Sequence, residues 1–126
     1  MKFDISYTFD AIPRLLEGAF ITLQVAILGF FLSIILATAI TIARTSLKSK
    51  ILNLIIAFYI SFIRGTPLLV QIFLIYYVLP VFGLNLGPFT AGIVAITLNS
   101  AAFVTEILRG GLASVPIGQF EAAKSL

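Results

Sequence analysis

Charged residues divide this chain into long apolar runs. Residues 18–43 form a run of 26 without a charge, residues 51–63 a run of 13 and residues 65–105 a run of 41. A helix needs about 20 apolar residues to cross roughly 30 Å of hydrocarbon. The first run therefore predicts one span. The third is too long for one helix, and Pro80, Gly83, Gly87 and Pro88 divide it. Residues 80–88, Pro-Val-Phe-Gly-Leu-Asn-Leu-Gly-Pro, read as a turn. The pattern thus predicts an all-α integral membrane fold with three transmembrane helices, at about 18–43, 52–79 and 89–106. Lipid leaves only helices and closed barrels as spanning structures. The strict alternation of a barrel strand is absent. A helix bundle in water would need far more polar surface.

Composition agrees with that solvent. The 126 residues are 60% hydrophobic and 10% charged, against about 45–50% and about 25% in soluble domains. Mean hydropathy is +1.16. There is no Cys and no His, which excludes disulfides, Cys/His metal sites and any catalytic pair built on imidazole or thiol. The net charge of +3 comes from scattered Lys and Arg, so nucleic-acid binding has no footprint. Both aspartates, Asp4 and Asp10, precede the first span, and neither HExxH nor GxxxxGK[ST] occurs. The sequence therefore predicts no enzyme, no metal and no cofactor. Any ATP used must be held by another chain.

Basic residues set the orientation. Residues 1–17 carry Lys2, Asp4, Asp10, Arg14 and Glu17 with no cleavage pattern after the apolar run, so they read as a lead-in to an uncleaved insertion signal. Arg44, Lys48 and Lys50 crowd the loop after the first span, and the turn at 80–88 has no basic residue. The positive-inside rule then puts the lead-in outside the cell and the loop and tail in the cytoplasm.

The polar residues left among the spans are the site candidates. Arg64-Gly65-Thr66-Pro67 interrupts the second span. Pro67 deletes the hydrogen bond to the Ile63 carbonyl and Gly65 loosens the same turn, so freed carbonyls and the Thr66 hydroxyl need partners. Transporters place sites at such interruptions. Counting from Ile51, Arg64 falls roughly 20 Å along the helix. It lines the path if that helix stands upright, and snorkels to the cytoplasmic interface if the helix tilts. Gln71 shares the Pro67 face, one turn on; it reads as a path residue or a bond to a neighbouring helix. Phe73, Tyr76 and Tyr77 fit an outer aromatic belt. In the third span Ala91, Ala95, Asn99, Ala102 and Glu106 form one stripe. Its small residues predict packing on protein, with Asn99 as helix glue or as a pore-lining group. Thr97 and Thr105 are weaker candidates. Glu106 and Arg109 are spaced to pair. Gly110-Gly111 and Pro116 are expected to end the span. The last eight residues read as the start of a helix with Glu121 in its first turn, and stopping there points to a truncated product.

Several of these segments resemble the permease subunits of ABC importers, in particular the polar amino-acid uptake family. Glu121-Ala122-Ala123 after a third span resembles that family's cytoplasmic EAA loop. Phe62-Ile63-Arg64-Gly65-Thr66-Pro67-Leu68-Leu69-Val70-Gln71 is similar to its second span. Glu106-Ile107-Leu108-Arg109-Gly110-Gly111 and Gly18-x-x-x-Thr22-Leu23 fall in the same order. The resemblance covers nearly the whole chain. It implies a type I importer permease of about five spans with an external N-terminus, of which residues 18–126 hold three spans and, at 107–126, the start of the coupling loop. It further implies a second permease subunit (a homodimer or heterodimer), two cytoplasmic ATP-binding subunits docked on the EAA helix, an extracytoplasmic amino-acid-binding protein, and residence in the cell membrane. Thr66, Gln71 and Asn99, with Arg64, are the substrate-path residues implied. Glu121, Ala122 and Ala123 are the ATPase-coupling residues. The fragment by itself is not expected to pump. The alternative is a small independent transporter or assembly subunit, but a proton exchanger needs a carboxylate within its spans, and the spans proper contain none, Glu106 standing at a cytoplasmic end.

Overall fold

The structure, a computed structural model, describes residues 6–47 and 49–125, with side chains at 11–47, 49–119, 121, 123 and 125. Lys2, Asp4 and Lys48, and the side chains of Asp10, Ala122 and Lys124, lie outside the described residues. Five α-helices follow in order: α1 Ser6–Ser46, α2 Lys50–Gly65, α3 Leu68–Phe73, α4 Pro88–Ala113 and α5 Ile117–Lys124. Among the described residues, α1 from Ala11 to Ser46 and α4 are each long and apolar enough to cross a membrane. A further apolar pair, α2 and the helix running from Leu68 to Phe82, is bent by 110° at its break, as a broken span or a re-entrant loop would be.

The lead-in is continuous with the first span, because nothing after Pro13 breaks the helix. At 41 residues, α1 is about 60 Å long, twice the thickness of the hydrocarbon. One face of its inner half is made of small residues four apart: Gly29, Ser33, Ala37 and Thr41. Ser33, Ala37 and Thr41 are buried. Ser33 and Thr41 turn their hydroxyls back onto the carbonyls of Phe30 and Ala37, at 2.7 and 2.8 Å. The stripe is therefore small and internally satisfied, the surface that lets two backbones approach closely. The buried residues of α4 are likewise small: Ala91, Ala95, Ala101, Ala102 and Thr105. At the closest point a Cβ on Gly29 would lie 2.7 Å from Ile96 Cγ2.

The contacts fix the sense of the pair. Val25 meets Gly92, Gly29 meets Ile96 and Arg44 meets Glu106, so α1 and α4 run parallel. The intervening chain must therefore return to the starting side. α2 does not make that climb. Tyr59 donates to the Leu98 carbonyl at 2.6 Å, and five residues later Arg64 lies over the Phe103 ring. Both sequences advance in the same sense, so α2 crosses α4 obliquely, with Ile56, Ile60 and Ile63 packed on Ala102. The climb is left to α3 and its continuation. Gln71 meets Asn99, and Ile75 packs on Ala91 and Ala95.

That continuation is not a regular α-helix. Leu74–Val78 forms a π-helical turn and Leu79–Phe82 a 3-10 turn. Pro80 has no N–H and its ring crowds the carbonyl four residues back. The wider turn avoids that clash, with the Leu79 N–H bonded to the Leu74 carbonyl. Gly83 then takes φ 87°, a left-handed cap that glycine adopts without a Cβ penalty. Pro88 opens α4 at its first turn, where a missing N–H is harmless. The turn expected at 80–88 is thus present.

The far end of α4 departs from expectation. Gly110-Gly111 does not stop it; the helix runs to Ala113 with Ser114 as its cap. Helical glycine costs about 1 kcal/mol but keeps its N–H. Pro116 is the real barrier, because it biases the residue before it out of the helix. The last helix also begins earlier than expected. α5 starts at Ile117, so Glu121 stands in its second turn, outside the strongest part of the helix dipole.

Candidate functional site

The bend between α2 and α3 is built by two residues in extended conformation, Thr66 (φ −120°, ψ 143°) and Pro67 (φ −62°, ψ 140°). Proline forces this on the residue before it. The Ile63 carbonyl then lacks its helical donor. Gln71 supplies it. Its Nε2 donates to the Ile63 carbonyl at 2.9 Å and to the Thr66 hydroxyl and carbonyl at 2.9 and 3.1 Å. Thr66 Oγ1 in turn donates to the Phe62 carbonyl at 2.9 Å. The Gln71 carboxamide oxygen accepts from Asn99 Nδ2 at 3.1 Å, which ties the bend to the middle of α4. Gln71 is 4% exposed, and its amide hydrogens are committed. Among the described residues Asn99 makes one side-chain hydrogen bond, and it keeps its carbonyl oxygen and one amide hydrogen for something else. Three of the four path candidates, Thr66, Gln71 and Asn99, are therefore one connected group.

Arg64 is not part of that group. It stands one turn nearer the end of α4, its guanidinium carbon 5.3 Å from the Phe103 ring centroid. It shares a cleft with Arg44, Ala57, Ile60, Ser61 and Glu106. The oblique course of α2 takes Arg64 to the end where Arg44 and Glu106 lie. Glu106 pairs with Arg109 as the spacing predicts, at 2.8 Å. It also holds Arg44 of α1 at 3.3 Å, a bond that no local spacing signals because 62 residues separate the two.

Thr105 is buried and bonded to the Ala101 carbonyl. Thr97 Oγ1 is buried without a partner, beside an apolar groove of about 380 Å³ between α1 and α4. Phe73 and Tyr77 are exposed and Tyr76 half-buried, all flanking the start of α4. Glu121 and Ala123 are exposed on α5. Sequence reasoning missed the α1 stripe and Arg44. The four-residue recurrence of Gly29, Ser33, Ala37 and Thr41 was a readable signal for the first; the second had none. Among the described residues no cluster of acidic residues is placed to hold a metal ion.

Two apolar helices packed side by side, a bent apolar pair broken at a polar joint, and a short helix beyond them define a helical membrane component. Residues 29–126 match the family described as binding-protein-dependent transport system inner membrane component, and the chain belongs to it. It is 42% identical to the L-cystine transport system permease protein TcyB of Bacillus subtilis, over 90% of this chain and 48% of that protein. It is 40% identical to the glutamine transport system permease protein GlnP of Escherichia coli K12, over 100% of this chain and 58% of that protein. A crystal structure of an amino acid ABC transporter with histidines superposes with a TM-score of 0.85 at 39% identity, covering 99% of this chain and 58% of that one. The chain thus spans about half the length of the curated relatives it matches. These relatives are transport permeases by name, and the fold expected from the sequence, an all-helical ABC permease, is the one found.

Proposed function

We propose that this chain forms part of the translocation path of an ATP-driven amino-acid importer, within a permease of about twice its length. The observation that carries the reading is the polar joint. In a family of transport permeases, a bent span whose freed carbonyls are satisfied by Gln71, and which leaves Asn99 with spare capacity, is suited to meet a polar solute. Asn99 is the contact residue. Gln71 and Thr66 hold the bend that presents it. The neutral carboxamide suits a zwitterion.

The remaining parts of the reading follow from the family and the geometry. The parallel course of α1 and α4, with Arg44 and Arg64 at one end, supports an external N-terminus and a cytoplasmic end carrying α5. The bent pair is then one crossing, not a re-entrant loop. The protein sits in the cell membrane. It works with a second permease subunit and with an extracytoplasmic binding protein that delivers the amino acid. Cytoplasmic ATP-binding subunits hydrolyse ATP and grip α5 through Glu121, Ala122 and Ala123.

The test uses the intact importer in vesicles, reading labelled amino-acid uptake and ATP hydrolysis together. Asn99→Leu is expected to lower uptake while leaving assembly intact. Glu121→Lys is expected to leave hydrolysis running without uptake. Unchanged uptake in Asn99→Leu removes the path assignment; unchanged uptake in Glu121→Lys removes the coupling assignment.

A further inference from the structure

The cleft at the end of α2 carries chemistry that the polar joint does not use. Asn53, Ala57, Ser61 and Arg64 recur at four, four and three, so they share one face of α2. Ala57, Ser61 and Arg64, with Ile60, line one wall of a cavity of about 190 Å³, and Arg44 and Glu106 line the other. The acid there is already answered. Arg109 holds both Glu106 oxygens, at 3.0 and 2.8 Å to Oε2 and 3.2 Å to Oε1, and Arg44 adds a bond of 3.3 Å. Among the described residues no acid lies within salt-bridge distance of Arg64. Arg64 lies against the Phe103 ring. Among the described residues no acceptor is hydrogen-bonded to the Arg64 guanidinium, so its N–H groups are open to a ligand.

Two guanidinium groups, Arg44 and Arg64, and one carboxylate, Glu106, therefore line the cleft, and because Arg109 already neutralises that carboxylate the surplus is positive. We propose that it binds one anionic group bearing two oxygens, a carboxylate or a phosphate, seated on the in-plane edge of Arg64. The planar fork matches two oxygens at once. The cavity is smaller than the roughly 300–1,000 Å³ that takes a drug-sized ligand, which suits a single head group. The group comes either from a dissolved solute or from a lipid headgroup. The site does not rest on amino-acid import, since either source fills it whatever the permease carries.

The test uses the intact permease in nanodiscs of zwitterionic phosphatidylcholine, with arginine labelled by nitrogen-15. The Arg64 Nε resonance is assigned by its loss in Arg64→Lys. Sodium acetate and inorganic phosphate are titrated at fixed ionic strength, and a third sample replaces part of the lipid with phosphatidylglycerol. The expected result is a saturable shift of Arg64 with Arg109 nearly still, because Glu106 already occupies Arg109. A response to acetate or phosphate identifies a dissolved anion, and a response only to phosphatidylglycerol identifies a headgroup. An Arg64 resonance unmoved in all three samples overturns the proposal. So does a parallel, unsaturating drift of every arginine, which is bulk screening. Uptake by the intact importer is a separate measurement, so this result and the transport reading fail independently.

Discussion

Replacing Gln71 by Met tests the polar joint most directly. The two side chains are similar in length, so the change removes hydrogen bonds with little change in packing. The Ile63 carbonyl loses a donor at 2.9 Å that the Pro67 backbone cannot replace, and keeps only the 3.5 Å approach of the Thr66 hydroxyl, which is better placed on the Phe62 carbonyl at 2.9 Å. Leaving a buried carbonyl unpaired costs about 1–3 kcal/mol. The lost Asn99 bond adds about 0.6 kcal/mol, the mean for side-chain bonds between membrane helices. The expected destabilisation is about 2–4 kcal/mol on these terms. Pro67→Ala in the same background restores an N–H to the chain near Ile63 and should recover about 1 kcal/mol or more. The assay is reversible unfolding of the four cycle members in mixed detergent micelles, followed by far-ultraviolet circular dichroism. Spin labels at Phe58 and Val81, both well exposed, report the bend by their separation. A Gln71→Met variant within about 0.5 kcal/mol of the parent, the range of an uneventful surface change, with an unchanged label distance, refutes the reasoning. Strict additivity in the cycle refutes the specific pairing of Gln71 with the carbonyl that Pro67 exposes.

Three further outcomes follow from other contacts. Gly29→Ala should destabilise by about 1–3 kcal/mol, the usual cost of overpacking, because its Cβ would meet Ile96 Cγ2 at 2.7 Å and a β-branched side chain in a helix has little freedom to move. Ile96→Ala should rescue it, and Gly92→Ala, with its nearest neighbour at 3.7 Å, should be tolerated; thermal unfolding in detergent reads all three. Tyr59→Phe should cost about 0.5–1.5 kcal/mol for the bond to the Leu98 carbonyl, read in the same assay. A double-mutant cycle between Arg44 and Glu106 should give a coupling of about 0.2–1 kcal/mol, the range for exposed pairs; no measurable coupling would show that the pair does not tie α1 to α4.

The features visible in the sequence were those set by local chemistry. Unbroken apolar runs marked α1 and α4 as spanning helices, and Pro67, Pro80 and Pro88 marked where the chain must turn. The small-residue stripe around Asn99 announced a protein-facing surface, and Glu106 with Arg109 needed only helical spacing. Features that depend on how one helix leans on another stayed hidden. A proline says that a helix is interrupted but not by how much, so the 110° bend was unreadable. With it went the level of Arg64, which depends on whether α2 stands or lies across α4. The partner of the orphaned Ile63 carbonyl was foreseeable as a need, and Gln71 was already singled out. That one amide would serve both the bend and Asn99 depends on the fold of α3 back along α4. Gly110-Gly111 misled because glycine weakens a helix without removing a donor.

That glycine pair has a mechanical consequence. It lies within α4, between the clamp of Arg44, Glu106 and Arg109 and the short helix beyond Pro116. A Cβ at either position would meet nothing within 4 Å, so packing does not brace this stretch. Each glycine lowers helix stability by roughly 0.5–1 kcal/mol relative to alanine, which makes these residues the softest link in an otherwise stiff rod of about 39 Å. Replacing both glycines with alanine is expected to stiffen α4 between the clamp and α5, read as slower amide hydrogen exchange at residues 107–113.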